Sequence, residues 1–147
     1  MNIIKITEDK KKYLDLLLLA DEQESMINRY LDKGDMYALF DEDLKSVCVV
    51  TDEKNKVLEL KNLATYPKYQ RCGYAKALID YISDRYKNDF DKLIVGTGES
   101  MLTIGIYNKC GFREFDRVKN FFVDNYDYEI FENGVKLVDM IYLKKSI

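Results

Sequence analysis

Between residues 57 and 86 the apolar repeat changes period, and this change restricts the fold more than any other feature of the chain. Over Val57 to Thr65, Leu58 and Leu60 alternate with Glu59 and Lys61, which is the two-residue period of a strand with distinct faces. The next apolar residue is Leu63, so the parity slips by one near Asn62; a β-bulge there restores the inward face and bends the strand. From Gly73 the period is helical, with Ala75, Leu78, Ile79, Ile82 and Tyr86 on one face and Lys76, Asp80, Ser83 and Lys87 opposite. A strand that feeds an amphipathic helix has to bury that helix against a sheet, which calls for a mixed α/β layer.

The flanking segments fill out that layer. Ile3 to Ile6 reads as a strand, Tyr13 to Ala20 and Glu24 to Leu31 as helices, and Gly34 closes that region. Met36 to Phe40 and Leu44 to Thr51 read as a hairpin about Asp41-Glu42-Asp43, and Asp52 to Lys56 is a second polar turn. Lys92 to Thr97 is a short buried strand, Met101 to Cys110 a helix stopped by Gly111, and Val135 to Leu143 a last strand. A helix therefore joins the fourth and fifth strands. Pro67 is the single proline, there is no linker, repeat or low-complexity stretch, and 147 residues suit one core, so a single domain over 1–147 is expected.

Composition removes several kinds of chemistry. The charge balance, 23 − 26 = −3, lacks the basic excess of a nucleic-acid binder. The chain has no histidine, so proton transfer falls to Tyr, Asp, Glu, Lys or Cys. Three cysteines, Cys48, Cys72 and Cys110, with no CxxC pair suggest neither a disulfide framework nor a metal site, and fit a reducing, cytoplasmic setting. The longest apolar run, Leu16 to Ala20, is far short of the roughly 20 residues of a membrane span.

The chemistry-bearing segment is the junction Leu63-Ala64-Thr65-Tyr66-Pro67-Lys68-Tyr69-Gln70-Arg71-Cys72-Gly73-Tyr74-Ala75-Lys76. Gly73 and the small Ala75 let backbone N–H groups point outward at a helix N-terminus, which can cradle a phosphate. On the residues alone, the alternative is a turn that only eases helix entry. Neither a GxGxxG fingerprint nor a Walker loop is present.

Gln70-x-x-Gly73-x-Ala75 resembles the acetyl-CoA motif Q/R-x-x-G-x-G/A of the GNAT N-acetyltransferases. A second motif agrees: Ile106-Tyr107-x-Lys109-x-Gly111-Phe112 is similar to the later helix of that family. The resemblance is clearest over residues 57–112 and weakest over 118–134. It implies a mixed, mostly antiparallel sheet with a splayed pair of central strands, helices on both faces, and acetyl-CoA as cosubstrate without a metal. It further implies that the pantetheine arm pairs with Leu63, Ala64 and Thr65. Gln70, Arg71, Cys72, Gly73, Tyr74, Ala75 and Lys76 would then form the pyrophosphate turn, with Arg71 and Lys76 side chains available for added charge. Cys72 could equally be an inert small residue.

Tyr107 is the expected general acid. A phenol with an ordinary pKa of about 10 is protonated at neutral pH and can give its proton to a leaving thiolate. The alternative on residue type alone is a packed core tyrosine, and Phe112 following Gly111 would contact that turn in either case. Freeing an alkyl amine at pH 7 costs on the order of 4 kcal/mol, so a carboxylate acting through water would help. Glu59 stands where some members carry a catalytic glutamate, against the alternative of a solvated strand residue beside Lys61; Glu99 is a reserve. The chain departs from the family with Val95 on the next strand and with Ser100 where Asn is common, which leaves Ser100 as cosubstrate contact or N-cap.

Family resemblance puts the acceptor near Asp21-Glu22-Gln23-Glu24 and residues 121–129, which combine Phe121, Phe122, Tyr126 and Tyr128 with Asp124, Asp127 and Glu129. Such a mixture suits a small cationic amine, the alternative being an ordinary solvated loop. The expected activity is acetyl transfer from acetyl-CoA to a primary amine. A peptide or protein N-terminus is a second acceptor class, and a non-catalytic acyl-CoA-binding regulatory module is the rival reading. No membrane or nucleic-acid partner is expected, and the aromatic C-terminal region offers a surface for a homodimer.

Overall fold

A computed structural model describes residues 1–147. In chain order the elements are β1 (Asn2–Ile6), α1 (Leu14–Ala20), α2 (Glu24–Ile27), β2 (Asp35–Asp41), β3 (Asp43–Asp52), β4 (Val57–Thr65), α3 (Tyr74–Tyr86) and β5 (Lys92–Gly98). They continue with α4 (Met101–Lys109), β6 (Arg113–Val118), α5 (Phe121–Asn125), β7 (Phe131–Glu132), β8 (Val135–Lys136) and β9 (Met140–Ser146). Seven strands form one sheet in the order β1-β2-β3-β4-β5-β9-β6, and β7 pairs with β8 in a separate hairpin. Every neighbouring pair is antiparallel except β4 and β5, which α3 joins as parallel strands.

Helices cover both faces, so the inner strands are apolar on both sides. Tyr37, Leu39, Cys48 and Val50 point to the face where α3 buries Leu78, Ile79 and Ile82 and α4 buries Ile104. Met36, Ala38, Val47 and Val49 point the other way, onto Leu16 and Leu17 of α1 and Ile27 of α2. A third, smaller cluster of Phe122, Ile130 and Leu137 lies under α5 and the β7–β8 hairpin. No helix is long and apolar enough to cross a membrane.

The parity slip has the expected cause. Val49 lies opposite Asn62 and Val50 opposite Leu60, so Lys61 is the extra residue of a bulge in β4. Leu58, Leu60 and Leu63 thereby all reach the α3 side, while Asn62 and Ala64 turn to the α1 side.

Three expectations need correction, and one strand was not expected. The helix expected over Glu24 to Leu31 ends at Ile27 and continues as turns, where Lys10 Nζ donates to the carbonyls of Leu31 (2.9 Å) and Gly34 (2.7 Å). The helix expected over Tyr13 to Ala20 begins as a 3-10 turn at Lys10–Tyr13. The last strand does not run from Val135 to Leu143 but breaks between β8 and β9. Leu137 is drawn inward over Gly98 there, and Asp139 accepts from the Asn120 N–H (2.9 Å). Finally β6, exposed along its whole length at the sheet edge, carries no apolar alternation by which to be recognised.

Candidate active site

The pairing of β4 with β5 ends at Leu60 opposite Val95. Beyond it Lys61 to Thr65 keep only their β3 neighbours, and Gly96 to Gly98 pair only with β9. The bulge bends β4 at this point, so the two central strands part and leave a gap. Leu63, Ala64 and Thr65 line its β4 side. Ser46 Oγ fixes this end by donating to the Ala64 carbonyl (2.8 Å) and pairing with Thr65 Oγ1 (2.9 Å).

The chain leaves β4 through a 3-10 turn at Pro67–Tyr69 and enters α3 through two left-handed residues, Arg71 (φ 63°) and Gly73 (φ 88°). The first helical bond runs from the Ala77 N–H to the Gly73 carbonyl, and no N–H from Arg71 to Lys76 donates to a protein acceptor. Six consecutive N–H groups are thus free at the positive end of a 13-residue helix, an arrangement able to accept an anion. Gln70 Nε2 reaches back to the Thr65 carbonyl (3.4 Å) and the Tyr74 hydroxyl donates to Asp41 Oδ2 (2.8 Å), tying the turn to the ends of β4 and β2. Arg71 and Cys72 are exposed and Ala75 is half-buried. Lys76 is ion-paired along the helix with Asp80 (2.7 Å), which leaves Arg71 as the unpaired cation of the turn.

Tyr107 sits in the last turn of α4, which closes with Gly111 at φ 97°. The N–H groups of Phe112 and Gly111 donate to the carbonyls of Tyr107 and Asn108 (3.1 Å each), and the Phe112 ring packs edge-on to Tyr107 at 5.5 Å. Burial pushes the phenol pKa above its ordinary value, and the nearby charge of Glu132 adds to this. Ser100 takes the N-cap position of α4 without a capping bond from its side chain. Its hydroxyl, 2% exposed at the residue level, accepts from Asn133 Nδ2 (3.3 Å).

Glu59 is 5% exposed and faces the α1 side of the sheet. Its Oε2 accepts from Lys61 Nζ (3.1 Å) and from the Tyr142 hydroxyl (3.4 Å), whose ring fits because Gly96 is bare. Burial raises its pKa and Lys61 opposes that rise. Glu99 is a poor reserve base: Arg117 holds it at 2.6 Å and lowers its pKa.

The two acidic segments come together. Tyr126 and Tyr30 donate to the two oxygens of Asp21 (2.6 and 2.9 Å), the Asp127 N–H donates to Gln23 Oε1, and the Tyr128 hydroxyl donates to the Glu22 carbonyl. Asn62 joins through its Nδ2, which donates to the Leu17 carbonyl and the Tyr30 hydroxyl, while its buried Oδ1 has no partner. Sequence reasoning missed Glu132, Tyr30, Tyr142 and this use of Asn62. For Glu132 the dipeptide Asn133-Gly134, a strong two-residue hairpin signal, was the local pointer; the others are brought in from distant segments.

A family model described as an acetyltransferase (GNAT) domain matches residues 32–114. The chain is 34% identical over 139 residues to the uncharacterized N-acetyltransferase YvbK of Bacillus subtilis (strain 168), covering 92% of this chain and 90% of that protein. It superposes on a GNAT family acetyltransferase from Elizabethkingia anophelis with acetyl-CoA bound at a TM-score of 0.92 and 35% identity, over 99% of this chain and 97% of that one. An acetyltransferase from Bacillus subtilis in complex with CoA gives 0.88 and 33% identity, over 99% and 98%.

Proposed function

Because the chain belongs to the GNAT acetyltransferase family, we propose that residues 1–147 act as one domain that transfers acetyl from acetyl-CoA directly to the primary amine of a small cationic acceptor. Six free N–H groups from Arg71 to Lys76, beside the end of β4 that has no β5 partner, carry this reading. Acetyl-CoA supplies the activated thioester and an anionic pyrophosphate. The turn Gln70-Arg71-Cys72-Gly73-Tyr74-Ala75-Lys76 would hold that anion, with the Arg71 side chain adding charge. Leu63, Ala64 and Thr65 offer strand backbone to the pantetheine arm, and Ser100 stands at the N-terminus of the helix that carries Tyr107.

In the transfer, the amine nitrogen bonds to the acetyl carbon and the carbon–sulfur bond breaks. Tyr107, kept protonated by burial, gives its proton to the leaving sulfur. Glu59 takes the amine proton through a water, since Lys61 and Tyr142 already hold its carboxylate. The joined segments around Asp21 and Tyr126 supply acidic and aromatic surface suited to a cation.

The same proposal sets the protein in the cytoplasm, supported by three free cysteines, and pairs two copies through the aromatic C-terminal part, where edge strand β6 presents Phe115. Amine-dependent release of CoA thiol tests the activity, and sedimentation tests the dimer. Preference for peptide N-termini, or for neutral or anionic amines, would contradict the acceptor assignment.

A further inference from the structure

Glu59 on β4 and Tyr142 on β9 are two strands apart, with β5 between them. Tyr142 stands directly opposite Gly96 of β5, and Glu59 stands directly opposite Ile94 on the other side of that strand. Val95, Ile141 and Leu143 point to the α3 side, so Gly96 and Tyr142 point the other way, to the face that carries Glu59. The Tyr142 ring lies across the bare Gly96: a Cβ there would stand 3.1 Å from its Cε1 and Cζ atoms and 2.6 Å from Met140 Sδ. Cζ carries the hydroxyl, which thereby crosses β5 and donates to Glu59 Oε2 at 3.4 Å. That bond is long for O–H···O, so the seat of the ring over Gly96 sets where the hydroxyl stands more than the bond itself does. Phe115 of β6 packs edge-on against the same ring at 6.3 Å.

The row continues on the other side of Glu59. Thr51 of β3 stands opposite it and donates to Glu53 Oε2 (2.6 Å), which keeps a second carboxylate close enough to act on Glu59. Lys61 Nζ opposes that charge from 3.1 Å, and Asp116 of β6 is a further charge acting on Tyr142. Burial and the charge of Glu59 raise the pKa of the Tyr142 phenol, so it stays a donor. Both donors, Lys61 and Tyr142, meet the same oxygen, Oε2. Glu59 Oε1 accepts no hydrogen bond from the protein and is not sealed from solvent. It is the oxygen left to take a proton.

We propose that Tyr142, seated over Gly96, is a positioning residue that fixes Glu59 by one oxygen and leaves Oε1 open to water; this rests on the reading above in which Glu59 takes the amine proton through a water. The proton leaves the acceptor ammonium for that water, a proton of the water passes to Oε1, and Tyr142 keeps its own. Titration of the Glu59 carboxyl 13C resonance in the full chain, identified by its absence in Glu59→Gln, tests the placement. The pH profile of kcat/KM for CoA thiol release tests its use, with benzylamine, tyramine and spermidine as acceptors. Tyr142→Phe keeps the ring over Gly96 and loses only the hydroxyl, so the midpoint should rise by about half a pH unit or more. The acid limb of kcat/KM should move by the same amount, which lowers the rate below it about threefold or more. Acetyl-CoA affinity of Tyr142→Phe should equal that of wild type. Gly96→Ala, which displaces the ring, should shift midpoint and limb in the same direction. A residue that only packs would leave Tyr142→Phe like wild type, so an unchanged midpoint overturns the assignment, as does a shift in Tyr142→Phe with none in Gly96→Ala. A midpoint that moves while the acid limb stays would overturn the role of Glu59 as base instead, and no turnover of any of the three amines would overturn the small-amine reading. The 13C titration decides the place of Tyr142 in either case.

Discussion

Leu60 lies opposite Val95 in the last rung joining β4 to β5, and the next residue of β4, Lys61, is the extra residue of a bulge. The bulge bends β4 just where its pairing stops. One inserted residue thereby opens the gap, keeps Leu63 in the same apolar core as Leu60, and turns Asn62 toward α1. Glu59 is the last residue of the α1 face before this break, so it is held inside the sheet but beside the opening.

Replacing Tyr107 by Phe separates chemistry from structure. The hydroxyl makes no hydrogen bond in the protein, so its removal leaves no buried partner unsatisfied. Tyr107→Phe should lower kcat about 10²-fold while the melting temperature and acetyl-CoA affinity stay as in wild type. Equal kcat in the two proteins would remove Tyr107 from the acid role.

Two glycines should respond to alanine with opposite signs. Gly73 has φ 88° with nothing within 4 Å of an added Cβ, so Gly73→Ala carries only backbone strain, about 1 kcal/mol, and should also weaken acetyl-CoA binding. Gly105 lies inside α4, also with open space around an added Cβ, so Gly105→Ala should stabilise the fold by about 0.5–1 kcal/mol. Denaturant melts of both variants check the signs, and acetyl-CoA titrations check the binding effect.

Glu59 makes the fold pH-sensitive in a defined direction. Burial raises its folded pKa above the ordinary 4.5, so its neutral form costs the fold nothing below that value, and the penalty for ionisation grows as pH rises through the folded pKa. Glu59→Gln cannot ionise. The stability of Glu59→Gln relative to wild type should therefore increase between pH 4 and pH 7, as read from melts at both pH values. A relative stability that falls over that range would mean that the Lys61 ion pair outweighs the burial.

The three cysteines should report on whether acetyl-CoA occupies the Gln70 to Lys76 turn. Cys48 is buried with its pKa pushed up to about 12, whereas Cys72 is exposed in the turn and Cys110 is partly exposed. An alkylating reagent should modify Cys72 and Cys110 in the native protein and reach Cys48 only after unfolding. Acetyl-CoA should slow alkylation at Cys72 at least several-fold. Equal rates with and without acetyl-CoA would contradict contact at that turn.

Periodicity made much of the fold legible. The change of period after Thr65, the slip near Asn62 and the stop at Gly111 each appear in the structure within a residue or so, because each is set by local packing or by a left-handed backbone position. The two motifs located the candidate turn and Tyr107 for the same reason: free helix donors and a glycine-terminated turn are short-range features. Segment 113–139 was not legible. Edge strand β6 has no buried face, α5 is five residues long, and Leu137 and Asp139 are drawn away from a strand by partners at Gly98 and Asn120. Glu132 and the bond from Tyr126 to Asp21, which joins residues 105 apart, depend on that segment folding back over the early helices.

The use of the β4 gap and the α3 turn by acetyl-CoA is tested most directly by thermal unfolding of wild type with and without acetyl-CoA at about 100 times its dissociation constant. Binding at that level adds about 2.7 kcal/mol, which should raise the melting temperature by roughly 5 to 10 °C. Gly73→Ala at the same ligand concentration should show a smaller rise. No rise in wild type with acetyl-CoA or with longer acyl-CoAs would contradict cosubstrate binding at this site.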